Sequence, residues 1–182
     1  VTPDLWHLSP EYVVTMASFA KEALKRNKKY FFDPGQALPS FLEGGSEDIF
    51  PFAERVRNAS GCFVNEYEGL LLEEKFGVTL KELVCDSPKM EFFIKTLGGS
   101  GVELFTKDGV FKFDVIEASK ITDPTGCGDA FRAGFINYYL KNRSLVDCVR
   151  LGSVMGSFAV EGSGGQNHKP SNDDIMNRFS GK

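Results

Sequence analysis

Short apolar runs that stop at polar turn residues, each followed by helical periodicity, constrain this chain more than any other feature. Tyr30-Phe31-Phe32 stops at Asp33-Pro34-Gly35, Cys62-Phe63-Val64 at Asn65-Glu66, and Phe92-Phe93-Ile94-Lys95-Thr96-Leu97 at Gly98-Gly99-Ser100-Gly101. Uninterrupted runs of this length read as strands buried on both faces. Between and after them the period changes to that of a helix. Ser9 and Pro10 start one, with Val13, Met16, Ala17, Ala20 and Leu24 on one face and the basic stretch from Lys25 to Lys29 at its end. Further helices are expected over Phe50–Val56, Tyr67–Phe76 (closed by Gly77), Ala130–Leu140, Leu145–Val160 and Asn172–Phe179. Val102–Thr106 and Val110–Val115 read as a hairpin turning at Lys107-Asp108-Gly109. Strands alternating with helices predict an α/β fold: a mainly parallel sheet with helices on both faces. The 182 residues suit one domain, or the greater part of one.

Composition narrows the class. Charged residues are 25% and hydrophobic ones 42%, which excludes a disordered or collagen-like chain, and seventeen Phe supply a substantial core. A net charge of −4 argues against nucleic acid as a partner, since phosphate backbones need a basic face. No apolar run approaches the roughly 20 residues of a membrane helix, so no membrane partner is expected. Cys62, Cys85, Cys127 and Cys148 form no CxxC pair and read as reduced thiols, which suits a cytoplasmic location. The triplets starting at Asn58 and Asn142 are not read as glycosylation sites, because no secretory segment accompanies them. His7 and His168 have no ligand or triad spacing and read as surface residues.

In a parallel sheet, ligands bind at the carboxyl ends of strands. Three polar clusters fall there: Asp33-Pro34-Gly35, Asn65 to Glu68, and Asp123 to Asp129. In the third, Gly126-Cys127-Gly128-Asp129 lies at the entry to a helix. Its two glycines let successive amides point one way, and the helix adds its positive end, giving a place for a phosphate or a developing oxyanion. A carboxylate beside such a hole repels an anion, but it can take the proton from a hydroxyl attacking a phosphoryl group. A glycine turn with a capped helix start is the plainer alternative. No G-x-x-x-x-G-K-S/T occurs, which disfavours a P-loop kinase, and no G-x-G-x-x-G follows a strand, which disfavours a nicotinamide dehydrogenase.

Asp123-Pro124-Thr125-Gly126-Cys127-Gly128-Asp129 resembles the second signature, D-T/P-x-G-A-G-D, of the ribokinase-like (PfkB) sugar and nucleoside kinases. Cys127 stands where Ala is common, one small residue for another. Ala130-Phe131-Arg132-Ala133-Gly134-Phe135 continues the match as A-F-x-A-G-F. Asn65-Glu66-Tyr67-Glu68 matches the family's N-x-x-E, and Thr96-Leu97-Gly98-Gly99-Ser100-Gly101 its T-L-G-x-x-G, in the right order. The resemblance runs across nearly the whole chain. It implies that residues 1–182 are the C-terminal portion of one ribokinase-like domain, a three-layer α/β/α fold.

Residue by residue, the resemblance implies the following roles. Asp129 is the general base, and the amides of Gly126, Cys127 and Gly128 form the anion hole. Asn65 and Glu68 organise Mg2+ beside the phosphates of ATP, directly or through water. Thr96, Gly98 and Gly101 line the nucleotide strip, and Ser153 falls where the family contacts adenine. Backbone oxygens around Asp123 and Thr125, with the loop near Gly164, are where many relatives hold a monovalent cation such as K+, so Asp123 joins the metal candidates. Read without the resemblance, Glu68 also fits a solvated first-turn acid that favours the helix dipole, and Asn65 a turn residue.

Asp33-Pro34-Gly35-Gln36 resembles the D-P-G-Q of adenosine-kinase-like branches, and no basic residue follows it before Arg55. An uncharged nucleoside or sugar is therefore the expected acceptor. Other readings are a ribokinase- or fructokinase-like sugar kinase, or a nucleotide-binding homologue or fragment without catalysis. The family's first half, with its Gly-Gly signature and lid sheet, has no counterpart in these residues, and the chain starts at Val1 rather than Met. The 182 residues alone are expected to be weakly active or inactive, because water would reach the γ-phosphate without a lid.

Overall fold

The computed structural model describes residues 10–35, 38 and 53–181, with side chains from residue 18 on. These residues fall into two compact units. The first takes the chain up to Leu97 together with Glu103–Phe111; the second takes Gly98–Val102 and the chain from Lys112 on.

The first unit opens with helix α1 (Pro10–Lys25), strand β1 (Phe31–Phe32) and a short helix α2 over residues 53–58. Strand β2 (Gly61–Asn65) leads into α3 (Glu66–Phe76), then α4 (Leu80–Asp86), strand β3 (Phe92–Thr96), and the hairpin β4 (Val102–Phe105) and β5 (Val110–Phe113). The sheet order is β1-β2-β3-β4-β5. β1, β2 and β3 run parallel, with Phe31 opposite Gly61 and Gly61 opposite Phe92. The expected hairpin forms, and reciprocal bonds between Thr106 and Gly109 close it with Lys107 and Asp108 as the two loop residues, one position before the Asp-Gly pair.

Both faces of the central strands are buried. On one face Phe32, Cys62, Val64 and Phe93 join Leu72, Leu80, Leu83, Val84 and Met90 in the core. On the other, Phe31, Phe63 and Phe92 pack ring to ring, with centroids 5.4–6.3 Å apart. The Phe92 ring lies over Gly61, in the space a side chain there would fill. Burial pushes the Cys62 thiol and the Tyr30 hydroxyl well above their usual pKa ranges.

The expected helix over Tyr67–Phe76 starts one residue earlier and ends on Gly77 in the left-handed conformation, φ 65°. Helix α4 is an addition to the sequence reading. Its start is a capping box, in which Thr79 accepts from the Glu82 amide and Glu82 accepts from the Thr79 amide. Ser9, Gln36 and residues 50–52 lie outside the described residues.

The second unit contains α5 (Cys127–Leu140), α6 (Leu145–Ala159) and α7 (Asn172–Phe179). α5 starts at Cys127, three residues before the expected Ala130, because Gly126 takes a positive φ of 79° and turns the chain into the helix at once. α5 and α6 pack at glycines. A Cβ on Gly134 would lie 2.8 Å from the Leu151 carbonyl oxygen, and one on Gly152 2.9 Å from the Phe131 oxygen. Small residues here let the backbones approach where larger ones would hold them apart.

Arg178 fastens α7 to the end of α6. It pairs with Glu161 at 2.8 Å, donates to Ser157 Oγ at 2.9 Å, and lies 3.6 Å from the Phe158 ring centroid. Burial alone would raise the Glu161 pKa, but bonds from the Ser119 amide and Arg178 hold the carboxyl below its ordinary range.

Candidate active site

In the second unit, residues 119–126 hang from the end of α6. The amides of Thr122 and Asp123 both donate to the Val160 carbonyl, at 2.7 and 3.2 Å, and the Ser119 amide donates to Glu161. Asp123 then fastens two loops. Its Oδ1 accepts from the Thr125 amide at 2.9 Å and its Oδ2 from the Gly164 amide at 2.8 Å. The Thr125 hydroxyl, then the Thr125 and Gly164 amides, hold this carboxyl below the usual carboxylate range. Next to it the backbones of Gly126 and Gly165 touch. A Cβ on Gly126 would lie 2.5 Å from the Gly165 Cα.

This arrangement presents the start of α5. The helices α3, α4, α6 and α7 are capped by the side chains of Asn65, Thr79, Ser144 and Ser171, whereas no side chain caps α5. The Cys127 amide donates to the Pro124 carbonyl at 3.2 Å, and the helical ladder begins with Ala130 on Gly126. The amides of Gly128 and Asp129 lie in the first turn, where no intrahelical acceptor exists. The amides of Gly128 and Asp129 are thus left without an intrahelical partner, while that of Cys127, named from sequence, is engaged in the turn. Asp129 sits on the same turn, with 58% of its side chain exposed, and pairs through Oδ1 with Arg132 Nη2 at 2.5 Å. Sequence reasoning did not single out Arg132, although its spacing of three from Asp129 on a helix was the available signal.

Ser153, on α6, has a buried hydroxyl with no hydrogen-bond partner among the described residues. Gly101, at φ 95°, is pressed against the Phe113 carbonyl, and Gly98, at φ 56°, faces open space. Gly98 opens the short 3-10 turn Gly98–Ser100, and Gly101 follows it.

In the first unit the structure brings Asn65, Glu68 and Thr96 together. Asn65 and Thr96 are paired at the carboxyl ends of β2 and β3, and the Thr96 hydroxyl donates to the Val64 carbonyl at 3.4 Å. Asn65 Oδ1 accepts from the Glu68 amide, and Glu68 Oε2 accepts from the Asn65 amide, both at 2.8 Å. Glu68 is only 6% exposed. Gly69 next to it lets α3 close on the Lys95 stem, since a Cβ there would meet Lys95 Cδ at 2.9 Å. Asp33 Oδ1 accepts from the Gly35 amide at 2.8 Å. Among the described residues no three His, Cys, Asp or Glu side chains form a cluster able to hold a metal alone, and no helix is long and apolar enough to cross a membrane.

The polar strand ends and the glycine-bounded, uncapped helix start carrying an acid are where the motifs that resemble a kinase family in sequence fall. The chain belongs to the pfkB family of carbohydrate kinases, whose model matches residues 8–172. It is 32% identical over 153 residues to a nucleoside kinase of Methanocaldococcus jannaschii, a match covering 84% of this chain and 48% of that protein. Among solved structures it is similar to a Burkholderia thailandensis nucleoside kinase in complex with inosine, with a TM-score of 0.82 at 30% identity over 91% of this chain and 52% of the other. It is also similar to the M. jannaschii nucleoside kinase, described as an archaeal member of the ribokinase family, with a TM-score of 0.81 at 29% identity over 96% and 54%. The fold is therefore the ribokinase-like α/β fold expected from the sequence. The chain spans about half the length of the relatives it matches.

Proposed function

We propose that the protein carrying this chain is a cytoplasmic, ATP-dependent kinase that phosphorylates a hydroxyl of a nucleoside, adenosine-like in kind, and that residues 1–182 are the later portion of its single catalytic domain. The observation that carries this reading is the start of α5: donors without a side-chain cap, with the Asp129 carboxylate on the same turn. In a structural protein a side-chain cap is worth about 1 kcal/mol, and a chain that caps four other helices had the means to supply one. Leaving the donors open suits an anion that comes and goes.

In this reading Asp129 accepts the proton of the acceptor hydroxyl, and the open amides of Gly128 and Asp129, presented by the Gly126–Cys127 turn, hold the charge on the transferred phosphoryl group. Ser153, with a buried hydroxyl that still has its hydrogen bond to give, contacts the base of the nucleotide. Thr96, Gly98 and Gly101 line its path. Mg2+, when bound with ATP, neutralises phosphate charge, and Asn65 and Glu68 are the residues to hold it directly or through water. Magnesium keeps most of its waters and asks for one or two carboxylates, so Glu68, which spends one oxygen on the Asn65 amide, would hold it chiefly through water. Asp123 acts chiefly as the tie between the loops whose carbonyl oxygens suit K+. The nucleoside acceptor is supported by the Asp33-Pro34-Gly35 turn and by the nucleoside kinases among the relatives.

The test is ADP release by the full-length gene product offered adenosine, other nucleosides, ribose, fructose and phosphosugars. Turnover with a nucleoside is expected. Asp129→Ala should lower it by about 10²- to 10⁴-fold while leaving ATP binding intact. Wild-type turnover in Asp129→Ala would refute the assignment of the base, and turnover with phosphosugars alone would refute the acceptor.

A further inference from the structure

We infer that Arg132 is a positioning residue for the base: it holds Oδ1 of Asp129 so that Oδ2 is presented to the acceptor hydroxyl. The inference rests on the reading of Asp129 above. The two residues lie three apart on α5 and therefore share a face. Their side chains are unequally fixed. Arg132 is 19% exposed and Asp129 58%, with 2.5 Å between Nη2 and Oδ1. In an ordinary surface pair both side chains move freely and the contact contributes little. Here the arginine is largely buried and the carboxylate is the more exposed partner. The guanidinium also reaches back over the first turn. A Cβ on Gly128 would lie 3.7 Å from Nη1 and 3.9 Å from Nη2, so no side chain stands between the cation and the turn that bears the open amides.

Helix stability gives the pair only a small return, since an acid and a cation three apart support a helix but the cation sits at the wrong end of it. An acid in the first turn already complements the positive end of the helix dipole, and a cation brought to the same end opposes it. Catalysis gives the pair a use. A general base must come within about 2.6–3.2 Å of the proton it takes, and a carboxylate free to turn spends part of its time elsewhere. With Oδ1 committed, Oδ2 is the oxygen left for the substrate. As the acceptor oxygen bonds to the γ-phosphorus, its proton passes to Oδ2. The bond from that phosphorus to the bridging oxygen breaks, and its electron pair leaves with ADP. Arg132 stays protonated and paired throughout.

The experiment uses the full-length gene product and the variants Arg132→Met, Arg132→Lys and Asp129→Ala, alone and with Arg132→Met. Met keeps the buried stem and removes the guanidinium. A misplaced catalytic group costs up to about 10²-fold, so kcat should fall roughly ten- to hundredfold, with KM for both substrates and the Kd for ATP unchanged. Adding Arg132→Met to Asp129→Ala should lower kcat no further, because the arginine acts only through the acid. Wild-type kcat in a folded Arg132→Met, or in Arg132→Lys should the Met variant not fold, overturns the inference. So does a loss that appears in ATP affinity instead of kcat. If Asp129→Ala is inactive while Arg132→Met is fully active, the role of Arg132 alone falls; if Asp129→Ala turns over normally, the base assignment falls with it.

Discussion

Replacing Gly134 by alanine tests whether backbone contact between α5 and α6 sets the sign of a stability change. Intrinsic propensity favours the substitution, since alanine in a helix interior is about 1 kcal/mol better than glycine. The structure opposes it. The new methyl would sit 2.8 Å from the Leu151 carbonyl oxygen, 2.8 Å from Met155 Cγ and 3.1 Å from the Gly152 Cα. Carbon contacts relax at about 3.5–4.0 Å, and two of these three atoms belong to backbone that cannot rotate away. The helices must part by several tenths of an ångström, and overpacking of this kind costs about 1–3 kcal/mol. The net result is a destabilisation of about 1 kcal/mol. Gly156 on the same interface supplies the control. Its added methyl would meet the Cys127 oxygen at 3.4 Å and Phe131 Cβ at 3.9 Å, which is ordinary contact, so Gly156→Ala should keep most of the propensity gain. The two variants should therefore differ by about 2 kcal/mol, close to 1 M in urea midpoint at a slope of about 2 kcal/mol/M. Urea unfolding followed by far-UV circular dichroism reads this directly. A Gly134→Ala chain as stable as the parent, or a Gly156→Ala chain weakened as much as Gly134→Ala, would refute the reasoning.

Two further outcomes follow from the packing and the loops. Gly61→Ala should destabilise the first unit by about 1–3 kcal/mol, because the Phe92 ring occupies the place of the methyl; adding Phe92→Leu should recover part of that loss, which a double-mutant cycle by urea unfolding would show. The Asp123, Glu161 and Asp174 carboxyls have folded pKa values below their unfolded ones, so their stabilisation is complete above about pH 4–5 and is lost as pH falls through the folded values. Thermal unfolding midpoints should drop on acidification below about pH 4, and Asp123→Asn should flatten that drop; an unchanged acid slope in this variant would remove Asp123 from the account.

Local pattern was enough for most of the fold. The Phe92–Leu97 run reads as a strand because it is apolar, β-rich and stopped by glycines, and the strand ends one residue sooner, at Thr96; the Asn172–Phe179 helix has the expected bounds. Helix α4 escaped because it has only seven residues, although Thr79-x-x-Glu82 was visible as a capping box. The true start of α5 was hidden by two glycines and a proline, all poor helix formers, when the positive φ of Gly126 was the feature that made an early start workable. The candidate site was legible as motifs; the capping box of Asn65 and Glu68 puts both at a helix start, as the plainer alternative has it, but Glu68 is buried rather than solvated. Its assembly was not legible: the bond from Gly164 to Asp123 and the meeting of Gly126 with Gly165 join segments far apart in sequence, where periodicity carries no information.

The meeting of Gly126 with Gly165 makes one component out of two stretches of chain. A side chain arriving at Gly126 has no room until the backbone at Gly165 gives way, one at Gly165 would meet Gly126 Cα at 3.3 Å and need a shift of a few tenths of an ångström, and Asp123 ties the second stretch down at Gly164. The two should therefore be inherited as a matched set. Anyone transplanting residues 123–129 into another scaffold would have to carry 163–165 along, or the graft would arrive without the wall it leans on.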